Sequence, residues 1–520
     1  MPKLFIDNKE VEVNKGATIL DAANKLGIEI PTMCFLKEYE PSTSCMVCVV
    51  KVDGLDNLVP ACGTVAQEGM RVQSNSEEVH QARKTALELL LSDHLGDCLG
   101  PCQIICPARM NIPLMIRQTA AGQFREAIAT VKKDIALPAV LGRICPKPCE
   151  RGCRRGVYDE AVSICLLKRY VADIDLKSRK PYLPTRKPAR RKRIAIVGAG
   201  PAGLAAAYYL RWAGYSCTVF DDHEQPGGML RYAVSEQELP RDVLDREIAL
   251  IEKLGVKFKT KTRIGEDLSM QKLSKDYSAV FIAVGRIEPK DVKSLGLEPA
   301  ANGIAIDKNT YQTGLPGVFA GGDAVHQRKL TVRAVADGKE AAVSIDQYLS
   351  GSEVTGPTKE FNTHIGKLMD GEIDNFLNFA DKTQRVEPSA PDSGFTEEQA
   401  RKEAARCLHC DCRKADVCKL KQYAQVSDAK PARFKGPRKT FVQHVQHPEI
   451  IYEPGKCIDC GLCIQIAARE SEELGLAFTG RGFDVRVAVP FGRSMAQALK
   501  SSAHKCVNAC PTGALAFKKP

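Results

Sequence analysis

Hydrophobic spacing divides the chain before any chemistry is considered. LFIDNKEVEV (residues 4–13) alternates apolar and polar positions on either side of Asp7-Asn8, the pattern of a tight hairpin. ATILDAANKLGI (17–28) switches to helical spacing, and residues 77–91 do the same without a glycine or proline. A further helix is predicted over 112–132. RIAIVGAGPAGLAAAYYL (193–210) reads as a buried strand, a glycine turn and a helix, and CTVFDD (217–222) closes a second strand. Residues 351–395 lack periodicity and read as a connector. Thr396, followed by Glu397, Glu398 and Gln399, starts another helix as its N-cap. These segments predict a multidomain α/β and α+β chain: a small β-rich domain (1–78), a helical domain (79–180), a Rossmann-type domain (190–350), the connector, a cysteine-rich helical segment (396–425) and a last small domain (440–520).

Composition changes this picture in one respect. The 520 residues suit three or four domains of roughly 100–200 residues each. A hydrophobic fraction of 44% and a charged fraction of 26% exclude wholesale disorder. No run reaches the roughly 20 apolar residues of a membrane span; the nearest, 194–210, is interrupted by glycines. The abnormal number is 21 cysteines. The opening MPKLFIDNKEVEV has no basic and apolar leader pattern, so a reducing, cytoplasmic setting is expected, where clustered cysteines mean metal or redox chemistry rather than disulfides. The net charge of +11 hints at nucleic acid or acidic lipid. Bound clusters of roughly −2 or −3 each, with a bound dinucleotide, would cancel most of it. The basic run 186–193 reads as a solvated linker, and no nucleic-acid partner is expected.

Cys34, Cys45, Cys48 and Cys62 form the first set, C-x10-C-x2-C-x13-C. Four cysteines hold either zinc or [2Fe–2S], and a single C-x2-C pair argues against paired zinc knuckles. The spacing resembles the [2Fe–2S] domain at the N-terminus of the complex I 75 kDa family, which implies a β-grasp-like ferredoxin fold. Next come His94, Cys98, Cys102 and Cys106, each four apart, then Cys145, Cys149, Cys153 and Cys165: two sets of four ligands. Their order resembles the N-terminal iron–sulfur domain of the glutamate synthase small subunit and of dihydropyrimidine dehydrogenase. That resemblance implies two interleaved [4Fe–4S] sites, His94, Cys98, Cys102 and Cys153 in one, Cys106, Cys145, Cys149 and Cys165 in the other. The family spacing is C-x2-C-x4-C-x3-C where this chain has x3 throughout, and its last ligand aligns near Lys168, for which Cys165 is the substitute.

The strand–turn–helix at 193–210 carries G-x-G-x-x-G as Gly198, Gly200 and Gly203, with Pro201 and Ala202 inside it and Asp221 about 20 residues on. The glycines allow a tight turn and close approach of a pyrophosphate, the helix N-terminus meets its charge, and the acid takes ribose hydroxyls. Gly228, Gly285, Gly322 and Asp323 extend the pattern, the last two within TGLPGVFAGGDAV. This segment resembles the C-terminal FAD fingerprint of the same flavoproteins, which implies FAD, with Asp323 on the ribityl chain. Those relatives insert a second nucleotide domain, which needs about 30 residues for even one βαβ unit. Here 17 residues separate Gly285 from Gly303 and no second fingerprint follows, so a direct NAD(P)H site is expected to be missing.

Cys407, Cys410, Cys412 and Cys418 could hold [4Fe–4S] or zinc. The last domain resembles bacterial two-cluster ferredoxins: Cys457, Cys460 and Cys463 in C-x2-C-x2-C, with Cys510 completing one [4Fe–4S] and Cys506 left over. Cys217, on a strand, reads as core. No hydrolytic triad, P-loop or catalytic hydrogenase motif is seen, and no catalytic residue is named. The expected inventory is FAD, one [2Fe–2S] and three [4Fe–4S] clusters, four if 407–418 holds iron. The combined resemblance implies a flavo-iron–sulfur electron-transfer subunit of an NAD(P)-linked oxidoreductase, of hydrogenase, formate dehydrogenase or transhydrogenase type, with FAD as two-to-one electron converter and a candidate bifurcation point. Implied partners are complex I-type NADH/FMN diaphorase subunits, a catalytic redox subunit and ferredoxin. Two alternatives stay open: a self-sufficient NAD(P)H-dependent reductase, and a zinc-stapled scaffold.

Overall fold

Asp7 and Asn8 both take positive φ, 48° and 66°, and so close the hairpin between the strands Lys3–Ile6 and Lys9–Glu12 in two residues. Ser74 N–H donates to Asp7 Oδ1 at 2.7 Å, tying that turn to the end of the strand Arg71–Gln73. Arg71–Gln73 pairs parallel with Lys3–Ile6 and antiparallel with Val49–Val52, whose other edge meets Val59–Pro60. The helix Ile19–Lys25 starts at a capping box of Thr18 and Asp21 and buries Ile19, Leu20, Ala22 and Ala23 against Leu4, Ile6, Val50 and Val72. This small domain therefore has a core of its own.

The computed structural model describes residues 1–328, 330–390 and 393–518. The chain forms two units, both discontinuous: Met1–Leu99 with Glu360–Asn378 and His409–Pro520, and Gly100–Lys359 with Phe379–Leu408. The helical region 79–180 is divided at Leu99, and the 351–395 connector contributes the helix Ile373–Leu377 to the first unit. The segment after it carries the helix Glu397–Ala405 into the second.

In the second unit, five parallel strands stand in the order Val318–Ala320, Ala279–Ile282, Arg193–Val197, Ser216–Phe220, Lys257–Lys259. Fully apolar strands such as Ala279–Ile282 are buried on both faces, as parallel sheets require. The helix expected over 112–132 is two, Ile112–Ala120 and Phe124–Asp134, because Gly122 takes φ +74° between them. One apolar core runs from these helices into the sheet. Glu247 joins the two parts: its carboxylate accepts Ala139 N–H at 3.0 Å and Val140 N–H at 2.9 Å, capping the helix Pro138–Ile144. Burial pushes this carboxyl up to about 7 although both N–H groups oppose the shift. The basic run is partly pinned. Arg190 pairs with Asp346 at 2.6 Å, Lys192 Nζ donates to Leu349 O at 2.9 Å, and Arg193 Nη2 to Asp276 O at 2.6 Å. Among the described residues no helix is long and apolar enough to cross a membrane.

Candidate functional site

Among the described residues no disulfide is formed, so the four-residue sets can be followed by where the thiols converge. Cys34, Cys45, Cys48 and Cys62 are all buried in one loop region, with Cys48 and Cys62 Sγ 3.4 Å apart. Thiol hydrogen bonds from Cys45 and Cys62 hold Cys34 well below an ordinary cysteine, the thiolate state that a metal ligand needs. Thr43 and Met46 take positive φ, and a Cβ on Gly63 would lie 2.7 Å from Thr43 Cγ2, so the loop wraps tightly around the thiols.

In the second unit, Cys145, Cys149 and Cys165 are linked through thiol hydrogen bonds. Lys168 Nζ lies 3.9 Å from Cys165 Sγ. Burial opposes the charge on Lys168, but the thiols of Cys165, Cys145, Cys149 and Cys106 outweigh it and push the ammonium up. Those four cysteines therefore surround one point. Glu150 Oε1 accepts Cys165 N–H at 2.9 Å and orients it. Cys407 is buried in the same apolar core, and Cys102 and Cys153 pack against it. Two fully buried arginines hold this neighbourhood together. Arg155 Nη1 donates to Arg406 O at 2.7 Å, and both guanidiniums bind Asp159. Arg406 precedes Cys407 and its charge reaches the Cys153 thiol. The helix Glu397–Ala405, which starts at a capping box of Thr396 and Gln399, leads directly into Arg406 and Cys407.

The first unit assembles a set that neither spacing nor resemblance anticipated. Cys412 N–H donates to Cys98 O at 3.3 Å, and the charges of Cys412 and Cys98 both act on Cys418, whose thiol burial drives up to about 12. Thr363 Oγ1 sits 3.3 Å from Cys98 Sγ and donates to Gly96 O at 2.7 Å. His94 is half-buried, its Nδ1 has no hydrogen-bond partner, and desolvation lowers it to about 4, so it is a neutral imidazole with a free nitrogen. This geometry groups Cys98 with Cys412 and Cys418. The chain between Leu99 and His409 belongs to the second unit, interrupted by Glu360–Asn378. Cys410, half-buried, lies two residues past the unit boundary.

Cys457, Cys460, Cys463 and Cys510 line one cavity with Tyr452, Val487 and Leu515. Asp459 and Gly461 take positive φ, 49° and 74°, which folds the C-x2-C-x2-C loop around it. Cys506 is fully buried beside Cys463 O, at 3.7 Å. A single apolar cluster contains Cys34, Cys45, Cys418 and Cys460, one or two thiols from each of the three sets of this unit. Ser42 Oγ also donates to Cys460 O at 2.8 Å.

The dinucleotide fingerprint closes as a cradle. Gly198 takes φ +104°, and a Cβ there would lie 2.3 Å from Ala283 O; one on Gly203 would lie 1.9 Å from Gly198 O. Gly200, at the start of the helix Pro201–Trp212, faces open space. A Cβ on Gly228 would strike Gly200 Cα at 2.8 Å, and one on Gly322 the Cβ of Ala202 at 2.9 Å. Gly285 takes φ +75°, and Asp323 lies in the turn Gly322–Ala324. Asp221 is buried and already accepts Ala199 N–H at 2.6 Å and His223 N–H at 2.9 Å, so it braces the loop. Cys217 is core, as expected. Sequence reasoning missed Asp337, which accepts Gly322 N–H at 3.1 Å and pairs with Arg333 at 2.8 Å. An acid one residue before Gly338, whose Cβ would lie 2.2 Å from Ala202 O, was the available signal. A cradle shaped by glycines suits a dinucleotide, and four converging buried thiols suit an iron–sulfur cluster.

Comparison with known proteins agrees with these assignments. Residues 2–77 match a family of 2Fe-2S iron-sulfur cluster binding domains, and 74–180 match dihydropyrimidine dehydrogenase domain II, 4Fe-4S cluster. Residues 196–255 match an NAD(P)-binding Rossmann-like domain and 231–338 a pyridine nucleotide-disulphide oxidoreductase domain. The chain is 42% identical over 207 residues to the NADP(+)-dependent formate dehydrogenase subunit beta of Moorella thermoacetica, covering 36% of this chain and 29% of that protein. It is 39% identical over 189 residues to the NAD-dependent dihydropyrimidine dehydrogenase subunit PreT of Salmonella typhimurium, covering 36% and 45%. It is 34% identical over 210 residues to the glutamate synthase [NADPH] small chain of Bacillus subtilis, covering 40% and 42%. The chain thus spans less than half the length of these curated relatives.

Proposed function

We propose that this oxidoreductase, which carries FAD, [2Fe–2S] and [4Fe–4S] centres, is the electron-transfer subunit of a multi-subunit NAD(P)-linked enzyme. The observation that carries the reading is the apolar cluster of Cys34, Cys45, Cys418 and Cys460, which gathers three cysteine sets of one unit into a continuous relay. The ligand sets we assign are Cys34, Cys45, Cys48 and Cys62 for [2Fe–2S]; Cys106, Cys145, Cys149 and Cys165, His94, Cys98, Cys412 and Cys418, and Cys457, Cys460, Cys463 and Cys510 for [4Fe–4S]. Cys102, Cys153 and Cys407 are the thiols of a further centre. A neutral imidazole whose Nδ1 has no hydrogen-bond partner supports His94 as ligand. Bound FAD exchanges two electrons at a time and clusters one, so the pair converts between them.

The chain's own residues do the rest. Gly198, Gly200 and Gly203 bring backbone N–H groups to the pyrophosphate, Asp221 and Asp337 fix the two glycine loops, and buried thiols exclude water from the clusters. A missing NAD(P)H domain is supported by the region after Gly285: among the described residues it holds only the short helix Pro289–Ser294 and the two-residue hairpin Pro299–Ala300/Gly303–Ile304 before the flavin fingerprint resumes. Reducing equivalents then enter through a diaphorase-type partner subunit and leave to a catalytic redox subunit. An assembly of the formate dehydrogenase class fits this argument. The cytoplasm, where thiols stay reduced, is the setting it requires.

Anaerobic titration of the cluster-loaded chain tests this, read by visible absorbance and EPR. Full bleaching by dithionite with none by NADH or NADPH is expected. Bleaching by either nucleotide alone would instead make the chain a self-sufficient reductase. Zinc without iron and acid-labile sulfide would make it a scaffold.

A further inference from the structure

Lys456 is a lysine with almost no access to water, 3% exposed, with its Nζ 2.5 Å from Glu453 Oε2. Glu453 is equally buried, and its other oxygen accepts Gln443 Nε2–H at 2.7 Å. The lysine stem is threaded between two glycines. A Cβ on Gly96 would lie 2.5 Å from Lys456 Cε, and one on Gly513 would lie 2.3 Å from Cys412 Sγ and 3.6 Å from Lys456 Cδ. Neither glycine has a positive φ, so close packing against this side chain accounts for both. Gly96 lies between His94 and Cys98. Its carbonyl accepts the Thr363 hydroxyl that also touches Cys98.

The backbone of Lys456 belongs to a different centre. Cys457 follows it, and Lys456 O accepts Thr512 Oγ1–H at 2.8 Å, two residues from Cys510. So the residue is anchored in the loop of the Cys457–Cys510 site while its ammonium is delivered to the Cys98–Cys412–Cys418 site. The same small gap at Gly513 is bounded by Cys412 Sγ and Lys456 Cδ, and Gly96, between His94 and Cys98, is bounded by Lys456 Cε, so the end of the lysine lies beside that site. A buried ion pair of this kind is weak evidence for stability, since apolar side chains of similar volume do as well or better. Its orientation calls for another explanation.

We propose that Lys456 is a tuning residue: a fixed positive charge that raises the reduction potential of the cluster held by His94, Cys98, Cys412 and Cys418. This rests on the ligand set assigned above. Reduction adds one electron and one unit of negative charge to the centre and makes or breaks no bond. A cation held against it in a low-dielectric surround favours the reduced form. Lys168, buried with its Nζ 3.9 Å from Cys165 Sγ, is a second buried lysine beside a cysteine set, in the other unit.

The test is a mediated redox titration of the loaded, full-length chain, read by EPR. Lys456→Met is expected to lower the potential of one [4Fe–4S] centre, cutting its reduced-to-oxidised ratio at a fixed poise by roughly tenfold, about 59 mV for one electron. Glu453→Gln moves the same centre the opposite way, and Lys456→Arg restores it. Opposite signs separate charge from damage to packing. If Lys456→Met loses iron, the Lys456→Met/Glu453→Gln double variant removes both charges and should still lower the potential. Variants that keep their iron and leave every potential unchanged overturn the proposal while the ligand set stands. If Cys412→Ser leaves all centres intact, the ligand set itself is wrong.

Discussion

The [2Fe–2S] site and the Cys98–Cys412–Cys418 site lie in the same unit and are built in opposite ways. The first takes all four cysteines from one stretch, on a sheet whose turn, helix cap and core are complete within residues 1–78. The second, in the ligand set we propose, takes His94 and Cys98 from before the inserted unit and Cys412 and Cys418 from after it. Its loop is finished by Thr363 from yet another return of the chain. The contiguous site depends on local structure; the split one depends on the whole unit having closed. One imidazole in place of a thiol apart, the difference is one of topology.

The largest effect should come from breaking the split site. Cys412→Ser is expected to remove about four irons per chain, the content of one [4Fe–4S] cluster. It should leave the [2Fe–2S] EPR signal in place, as iron and sulfide analysis beside EPR will read. Cys48→Ser should do the converse and cost about two irons. Gly203→Val sharpens the comparison from the other side. Its Cβ has no room against Gly198 O, so flavin occupancy should fall close to zero in an extracted-FAD assay. If the inserted unit only interrupts the split site, its signals survive that loss.

Glu247→Gln should have a moderate effect confined to pH dependence. The folded carboxyl, raised to about 7, holds a proton between its ordinary value and 7 that the unfolded chain releases. Stability of the inserted unit therefore falls as pH rises through that window and is flat above it, by on the order of 3 kcal/mol in all. The glutamine variant should remove that slope in urea unfolding at pH 5 and pH 7.5. The smallest effect is a matched pair. Thr18→Ala and Thr396→Ala each delete a capping-box hydroxyl and should each cost about 1 kcal/mol. Only the Thr396 change should also loosen a cysteine, Cys407, detectable as faster thiol labelling of the cluster-free chain.

Much of this was legible in the sequence wherever neighbours in the chain are neighbours in space. The Asp7-Asn8 hairpin, the helices from Glu77 and Glu397, and the glycine fingerprint follow local rules, and the structure forms each of them. The cysteines around Lys168 lie within one folded stretch, where sequence order still says something about neighbours in space. Cys98 was not legible in this way. Its spacing to Cys102 and Cys106 suggests one helical face, and nothing local marks Leu99 as the point where another unit enters. Lys456 was hidden for a different reason. A lysine before a C-x2-C loop reads as solvated, and only the missing side chains at Gly96 and Gly513 reveal the channel it fills. Gly122 ended a helix that periodicity alone would have continued.

The interrupted path of the first unit has a consequence for biogenesis. At 5–20 residues per second, the stretch between Cys98 and Cys412 takes on the order of tens of seconds to synthesise. A ribosome therefore releases a nascent chain whose [2Fe–2S] domain can be metallated early, while His94 and Cys98 wait with half a ligand set for the closing segment. Cluster delivery to this polypeptide then follows a schedule, with the split centre filled only once Cys412 and Cys418 have emerged, the Cys457–Cys510 centre after it, and the nascent Cys98 thiol kept from scavenging iron, or pairing with Cys102, in the interval.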